Sequence, residues 1–499
     1  MGLTVAPVSA WFLAWIALAP LWVIIVKSST NSLPNNSKLL PTQNSKLKTQ
    51  NYSHSLLWGI GYHGVAIWWI TGIHPMTWMG VPWLASLAIA IFCLTFLALW
   101  GAALVVVWAI TTAWLIRSTN VLTRILIGVG LWCGLESLWS RGALWWTTLA
   151  YTQSPHNVAI LHLGQLSGTT TITAAIVAVN ILLAEVWLNR QHKKIYVSLA
   201  VGLLVGLHLI GWQLSNQPLT QSPQTALKVG IIQGNVPNEI KLYSDGVSRA
   251  IAGYTSGYQT LANQGVDAVL TPEGALPFRW DDVERTSFYA AVKEKGVTAW
   301  VGAFGQQGRS ITNSLFTLTG NGEVFSRYDK YKLVPLGEYI PFEQFLGGLV
   351  DRLSPLDAHL VAGASNQVFD TPFGRAIAAI CYESAFGEHF RRQTAAGGQF
   401  ILSAANNAHY SPAMPAQHHA QDVMRAIESD RWVVRATNTG YSGIIDPHGK
   451  IEWISKLNTY QLHAATIYRR ETKTLYVRWG DWLMPLLLGL GVVFKILLT

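Results

Sequence analysis

Between Lys48 and Arg117 the chain runs for 68 residues without one Asp, Glu, Lys or Arg. The hydrocarbon core of a bilayer takes about 20 apolar residues per helix. This stretch alone therefore holds two spans, and a chain that contains it cannot fold as a wholly soluble protein. Gly72-Ile73-His74-Pro75 and Gly80-Val81-Pro82 punctuate the run where a turn belongs. The same reading along the chain gives spans at 6–26, 56–72, 83–116, 121–140, 157–187 and 195–213, with a last one over 481–498. The first lacks the basic leader of a signal peptide and is expected to be a span.

Only 12% of the 499 residues are charged, against about 25% in ordinary soluble domains. Half are hydrophobic and 23 are Trp, which excludes a disordered chain. Three cysteines, Cys93, Cys133 and Cys381, cannot build a disulfide scaffold. The balance of +9 takes its meaning from where the cations sit. Lys27, Lys38, Lys46 and Lys48 occupy the first loop, Arg117 and Arg124 the third, and Arg190, Lys193 and Lys194 the fifth. The second loop has no Lys or Arg, and the fourth has only Arg141. Basic short loops mark the cytoplasmic side, so the sixth span is expected to exit and leave 214–480 outside the cytoplasm. The positive charge is a topology signal, and no nucleic-acid partner is expected.

Four regions follow. Residues 1–213 form a helical membrane domain of about six spans, 214–225 a Gln/Ser/Pro linker, 226–480 an extracytoplasmic domain and 481–499 a terminal span. In the third region short β-rich runs appear at Lys228–Ile232, Ala268–Leu270, Thr298–Ala303, Ser314–Thr319, Ala376–Ile380, Phe400–Ser403 and Trp432–Arg435. Gly320-Asn321-Gly322 and Asp446-Pro447-His448-Gly449 read as hairpin turns. Helical stretches at Val247–Asn263 and Gln417–Ser429 intervene, and such alternation predicts an α/β domain with a buried sheet.

Three residues there can do chemistry together. Glu273 follows the apolar run 268–270, Cys381 follows 376–380, and Lys330 sits in Tyr328-Asp329-Lys330-Tyr331-Lys332. Sites gather at strand C-termini in α/β sheets. A thiol needs a base to become a nucleophile, and the oxyanion formed on attack needs a cation or an amide. By residue type alone the set is ambiguous, because a lone buried Cys is more often a packing residue and a lone Glu or Lys a surface one. Adjacent His418 and His419 lack metal-ligand spacing and read as satisfied polar residues. A Cys–His pairing of Cys381 with His389 or His409 stays open. Phe342, Phe345, Leu346, Leu349, Val350 and Leu353 recur at helical spacing, as a core-facing helix or a lipid entrance would; Gly347 and Gly348 suit a mobile lid.

The words around the three residues carry more. Gln233-Gly234-Asn235-Val236-Pro237, Thr271-Pro272-Glu273, Lys330 before Leu333-Val334-Pro335-Leu336-Gly337-Glu338-Tyr339-Ile340-Pro341, and Cys381-Tyr382-Glu383 occur in order. Arg425-Ala426-Ile427-Glu428, Arg435-Ala436-Thr437-Asn438-Thr439-Gly440 and Ile445-Asp446-Pro447-His448-Gly449 follow, and Glu136, Arg141 and Tyr151-Thr152-Gln153 lie in the membrane half. These resemble the Glu–Lys–Cys nitrilase superfamily and, with the spans, its membrane-embedded branch, the apolipoprotein N-acyltransferases.

The resemblance implies a four-layer αββα catalytic domain. It implies Cys381 as nucleophile, Glu273 as general base and acid, and Lys330 as oxyanion support, with the Tyr382 backbone N–H as second donor. Glu338 would be an accessory carboxylate, Tyr382 and Glu383 would shape the pocket, and Phe342, Phe345, Leu346 and Leu349 would line a lipid entrance. The reaction implied is ping-pong: a phospholipid acylates Cys381, and the thioester passes its chain to the amine of a diacylglyceryl-cysteine on an apolipoprotein. No metal or organic cofactor is implied. The setting implied is a monomer, multi-pass in a bacterial inner membrane, with the catalytic domain on the periplasmic side.

Two departures from the family pattern stand near the expected pocket. Asn406-Asn407-Ala408-His409-Tyr410-Ser411 replaces an Asn-Asp-Ala-Trp-Phe-Gly word, and Leu242 replaces an aromatic; both are expected to bear on donor or acceptor preference. A first span usual in the family is also expected to be missing before Met1. The alternatives are a membrane-tethered nitrilase-type amidase, which would not need seven spans, and a non-catalytic transporter or sensor. Against the latter stand the intact Glu–Lys–Cys set and the scarcity of charge within the spans.

Overall fold

The computed structural model describes residues 1–30, 41–335, 337–339 and 360–498. Two compact units emerge, one of Met1–Trp68, Ile91–Gln217 and Trp479–Thr499, the other of Trp69–Ala90 and Pro218–Arg478. Residues 69–90 group with the second unit. The Trp69 indole stacks edge-on against Tyr410 at 4.9 Å and donates to Gln417 Oε1, and the Tyr243 hydroxyl donates to the Trp78 carbonyl.

Five helices among the described residues are long and apolar enough to cross a membrane: Trp11–Ser29, Trp83–Leu115, Val121–Trp139, Thr169–Leu188 and Arg190–Ser215; all but the first two turns of Trp83–Leu115 belong to the first unit. Val158–Ser167 and Leu483–Leu497 are shorter apolar helices. The expected span 157–187 is corrected to one that starts at Thr169, because Gly168 (φ 66°, ψ −153°) breaks the run. In place of an apolar span over 56–72, the helix Pro41–Ala66 ends before a 3₁₀ turn at Trp68–Ile73.

Two buried carboxylates in this unit find their partners internally, as a bilayer favours. Glu136 Oε1 accepts from the Leu149 and Trp132 N–H groups, and Oε2 from the Thr148 and Thr173 hydroxyls. Arg124 pairs with Glu185 at 2.7 Å. A Cβ on Gly130 would sit 3.1 Å from the Leu487 backbone, so small residues let the C-terminal helix Leu483–Leu498 pack against Val121–Trp139.

The second unit holds, among the described residues, two six-stranded sheets. The strands are β1 (Ala226–Gln233), β2 (Ala268–Leu270), β3 (Thr298–Gln307), β4 (Ser310–Leu318), β5 (Val324–Asp329), β6 (Phe369–Thr371), β7 (Gly374–Ile380), β8 (Phe400–Ala405), β9 (Val433–Thr437), β10 (Gly443–Ile445), β11 (Ile451–Ile454) and β12 (Gln461–Tyr468). One sheet runs β12-β1-β2-β3-β4-β5 and the other β11-β10-β9-β8-β7-β6. β1, β2 and β3 are parallel, as are β7, β8 and β9; the flanking strands are antiparallel.

Strand alternation sorts the core into layers. Leu227, Val229 and Ile231 of β1 face Ala378, Ile380, Leu402 and Val434 between the sheets. Ile232, Val269 and Val301 point the other way, onto Tyr254, Tyr258 and Leu261 of the helix Ser244–Asn263 and Phe288 of Ser287–Lys295. Helices Gly387–Ala395 and Ala413–Ser429 pack on the second sheet. The result is the expected αββα sandwich. Each fully buried Val, Leu or Ile contributes about 1.5–3 kcal/mol, so these layers fix the strand ends rigidly. β2, β7 and β8, strands of the two parallel runs, deliver their C-terminal ends to the site.

Candidate active site

β7 ends at Ile380 and the chain turns at once. Cys381 takes φ +52° at the head of the 3₁₀ turn Cys381–Ala385, a left-handed conformation that costs a non-glycine residue about 1–3 kcal/mol. Two buried side chains hold it. Glu383, fully buried, accepts the Ile380 N–H at Oε2 (2.7 Å) and, at Oε1, the Tyr328 hydroxyl (2.8 Å) and the Tyr331 (2.6 Å) and Lys332 (3.1 Å) N–H groups. His418 donates from Nε2 to the Cys381 carbonyl at 2.8 Å and accepts at Nδ1 from Asn407 at 3.1 Å. Burial draws His418 down to about 3, so the imidazole is neutral and this tautomer satisfies both contacts.

Glu273 follows β2 by three residues. Its Oε1 accepts from Lys330 Nζ and from Asn313 Nδ2, both at 2.8 Å, and its Oε2 accepts the Asn406 N–H at 2.9 Å. Lys330, just past β5, also donates to Glu338 Oε1 at 2.9 Å, and Asn313 bridges to the same oxygen at 2.9 Å. The Val334 N–H fixes Glu338 Oε2 at 2.8 Å. Glu273, Lys330, Glu338 and Asn313 thus form a closed ring of hydrogen bonds. The Cys381 sulfur lies beside it, 3.9 Å from the Asn406 carbonyl.

The charges follow from this packing. Burial pushes the Cys381 thiol up to about 12; Glu273 and Glu338 add to the rise, and Lys330 opposes it. Burial also pulls Glu273 upward, but the Lys330 ammonium, then Lys241 and the Asn313 amide, outweigh it and hold the carboxyl below its ordinary value. Burial lowers Lys330, yet Glu273 and Glu338 more than offset that and keep it well above the ordinary range. At rest the proton therefore sits on sulfur, and Glu273 and Lys330 are ionised. The thiol can give up its proton to Glu273 only as a bond to sulfur forms, not before.

The expected residues fall into three groups. Glu273, Lys330 and Glu338 touch one another, and their charges act on Cys381. Tyr382 packs edge-on against Phe386 at 5.0 Å, while Glu383 lies behind the turn with both oxygens committed. Phe342, Phe345, Leu346 and Leu349 lie outside the described residues. As for the histidines weighed as Cys381 partners, His389 is held by Tyr328, Gln393 and the Ala378 carbonyl. His409 is held by Asn238 at 2.7 Å, and burial lowers it to about 4.

Asn313, Lys241 and the bracing role of His418 were not foreseen. A signal for Asn313 lay in Thr312-Asn313-Ser314, three polar residues inside an apolar strand. Thr312 and Ser314 turn to Asp329 Oδ1, so strand alternation sends Asn313 to the other face and to Glu273.

Comparison with known proteins bears on both units. A model of the apolipoprotein N-acyltransferase N-terminal domain matches residues 1–182, and a carbon-nitrogen hydrolase model matches 173–474. A protein of Nostoc sp. named apolipoprotein N-acyltransferase is 63% identical over 493 residues, 98% of this chain and 96% of its own. Proteins of the same name from Synechocystis sp. and Gloeobacter violaceus are 48% and 34% identical, each over 99% of this chain and over 98% and 91% of their own lengths.

Proposed function

The chain belongs to the apolipoprotein N-acyltransferase family of the nitrilase superfamily, and from that premise we propose a two-step acyl transfer through Cys381. Its activity is the N-acylation of lipoproteins, with a lipid of the membrane as donor. In the first step the Cys381 sulfur attacks a phospholipid ester carbonyl while Glu273 takes the thiol proton. Lys330 and the Tyr382 N–H hold the oxyanion. The ester C–O bond then breaks, Glu273 returns the proton to the departing alkoxide, and a lysophospholipid leaves. In the second step the α-amine of a diacylglyceryl-cysteine attacks the thioester. The C–S bond breaks, and the amine's proton passes through Glu273 back to sulfur.

The observation that supports this reading best is the hydrogen-bonded ring of Glu273, Lys330 and Glu338 set against a cysteine in a strained turn. The membrane setting has a physical reason. Drawing an acyl chain out of a bilayer costs about 0.8 kcal/mol per CH₂, so the enzyme is brought to the lipid. The test is intact-mass measurement of the purified protein after incubation with phospholipid micelles. One acyl adduct per chain, discharged by a diacylglyceryl-cysteine peptide, supports the reading; discharge to free fatty acid alone would make the protein a hydrolase.

The domain division 1–213, 214–225, 226–480 and 481–499, the inner membrane, the periplasmic site and the monomeric state belong to the same proposal. Basic loops at Lys27–Lys48, Arg117–Arg124 and Arg190–Lys194 on the cytoplasmic side put 214–480 opposite. Reporters fused at Ser222 and after Thr499 should read periplasmic and cytoplasmic. A cytoplasmic signal at Ser222 would overturn the topology and, with it, the access to outer-leaflet substrates.

A further inference from the structure

A second buried lysine faces the site. Lys241 closes the short helix Asn238–Lys241 beyond β1 and is only 7% exposed. Its Nζ donates to the backbone carbonyl of Glu273 at 3.2 Å and lies 3.4 Å from where a Cβ on Gly274 would stand. The ammonium thus rests against the turn that presents the base. Among the described residues, no carboxylate comes within ion-pair distance of it. A buried ammonium held by a carbonyl alone is costly.

The charge of the cluster gives that ammonium a use. Glu273 and Glu338 are two carboxylates sharing one ammonium, Lys330, which leaves one negative charge in a site that must next carry an oxyanion. We propose that Lys241 is a positioning residue whose ammonium balances this excess, so that negative charge can form at Cys381 and at the oxyanion. The proposal rests on the Cys381 thioester reading. Lys241 acts through Glu273 and Cys381, not by contact with substrate.

The groups facing Lys241 are Glu273 after β2, Cys381 after β7 and His409 after β8, with Lys330 after β5 acting on the same His409. His409, drawn down to about 4 by burial and by Lys241, is neutral and does not compete. Burial lowers Lys241 to about 8, against the upward pull of Glu273 and Cys381. The sign is then fixed: the ammonium is present below pH 8, and its support fades as pH rises through that value. Thiol ionisation, centred near 12, does not mask the fall.

The test uses the full-length protein in mixed micelles of phosphatidylethanolamine and phosphatidylglycerol, reading the rate of acyl-adduct formation by intact mass between pH 6 and 10. An opposite charge at this range shifts an ionisation by about 1–3 units. Lys241→Met should therefore slow adduct formation at pH 7 by roughly 10- to 1000-fold and abolish the fall near pH 8. Lys241→Arg should recover most of the rate and stay active above pH 8, because a guanidinium keeps its proton. Wild-type rate and profile in Lys241→Met would overturn the proposal, as would a slowed variant that keeps the fall. Should Lys241→Met fail to melt cooperatively, Lys241→Arg decides alone: survival of the fall near pH 8 overturns it. Adduct on Cys381→Ala would instead sink the thioester reading, so the two failures are distinguishable.

Discussion

Cys381→Ala should melt like the parent protein, bind phospholipid and form no acyl adduct at all. The sulfur's hydrogen bond to the Asn406 carbonyl is long, at 3.9 Å, and alanine keeps the Cβ, so the change removes the nucleophile and one atom of packing. Cys93 and Cys133 lie on the helices Trp83–Leu115 and Val121–Trp139, and their alanine variants should acylate normally. Glu273→Gln keeps the shape and still accepts from Lys330 and Asn313, but it cannot take the thiol proton. Adduct formation should slow by roughly 10²–10⁴-fold, the usual size of general-base catalysis. Lys330→Met should do more than remove oxyanion support. It leaves Glu273 and Glu338 side by side without their shared ammonium, and breaking a buried ion pair costs about 3–5 kcal/mol. Unlike Cys381→Ala, it should lower the melting temperature. Because the groups act as one unit, the Glu273→Gln/Lys330→Met double variant should fall less than the product of the singles. An adduct on Cys381→Ala would end the thioester mechanism.

The fold was legible where one physical rule dominates. β2 was read at its observed bounds, and β1, β3, β7 and β8 within a few residues, because strands buried on both faces are continuous apolar runs. Gly320-Asn321-Gly322 and Asp446-Pro447-His448-Gly449 do join β4 to β5 and β10 to β11. β5 (VFSRYD) and β12 (QLHAATIY) were missed. Each is a polar, half-exposed edge strand whose existence depends on a partner, β4 and β1, and no local pattern announces it. Span limits failed for a similar reason. Hydropathy counts apolar residues and cannot see that Gly168 leaves the helical region.

The site was legible as words and illegible as geometry. Glu273, Lys330 and Cys381 stand 57 and 51 residues apart in sequence, and only the sandwich brings their strand ends together. What no spacing could supply was the division of labour among the polar residues around them. His418 looked like an unremarkable polar histidine, yet it holds the Cys381 carbonyl. Lys241 carries no sequence signal of its own, yet it is buried against Glu273. The family resemblance put Glu383 in the pocket; here its side chain turns back beneath the turn, where four donors hold it.

That placement of Glu383 yields the last large effect. A carboxylate has only acceptors, and here four donors converge on it: the Ile380, Tyr331 and Lys332 N–H groups and the Tyr328 hydroxyl. Glu383→Gln must turn an NH₂ toward at least one of them. If the amide oxygen keeps the three-donor side, the Ile380 N–H faces another donor; if it flips, three donors do. A buried donor left without an acceptor costs about 1–3 kcal/mol, and the bonds lost were charge-assisted, so the variant should lose about 2–4 kcal/mol of stability. Ile380 precedes the strained Cys381, so the turn should relax toward ordinary φ and aim the sulfur away from the ring of Glu273, Lys330 and Glu338. Acyl-adduct formation should then collapse even at temperatures where the variant is folded. Tyr328→Phe removes one charge-assisted bond and leaves the other three, the Ile380 anchor among them, so it should cost about 1.5–3 kcal/mol and retain most activity. A pocket residue that touched substrate would behave otherwise: Glu383→Gln would melt like the parent and lose apparent affinity for phospholipid at an unchanged limiting rate. Thermal melting together with adduct rates at varied lipid concentration separates the two outcomes. An unshifted melt would remove Glu383 from the support of the nucleophile turn.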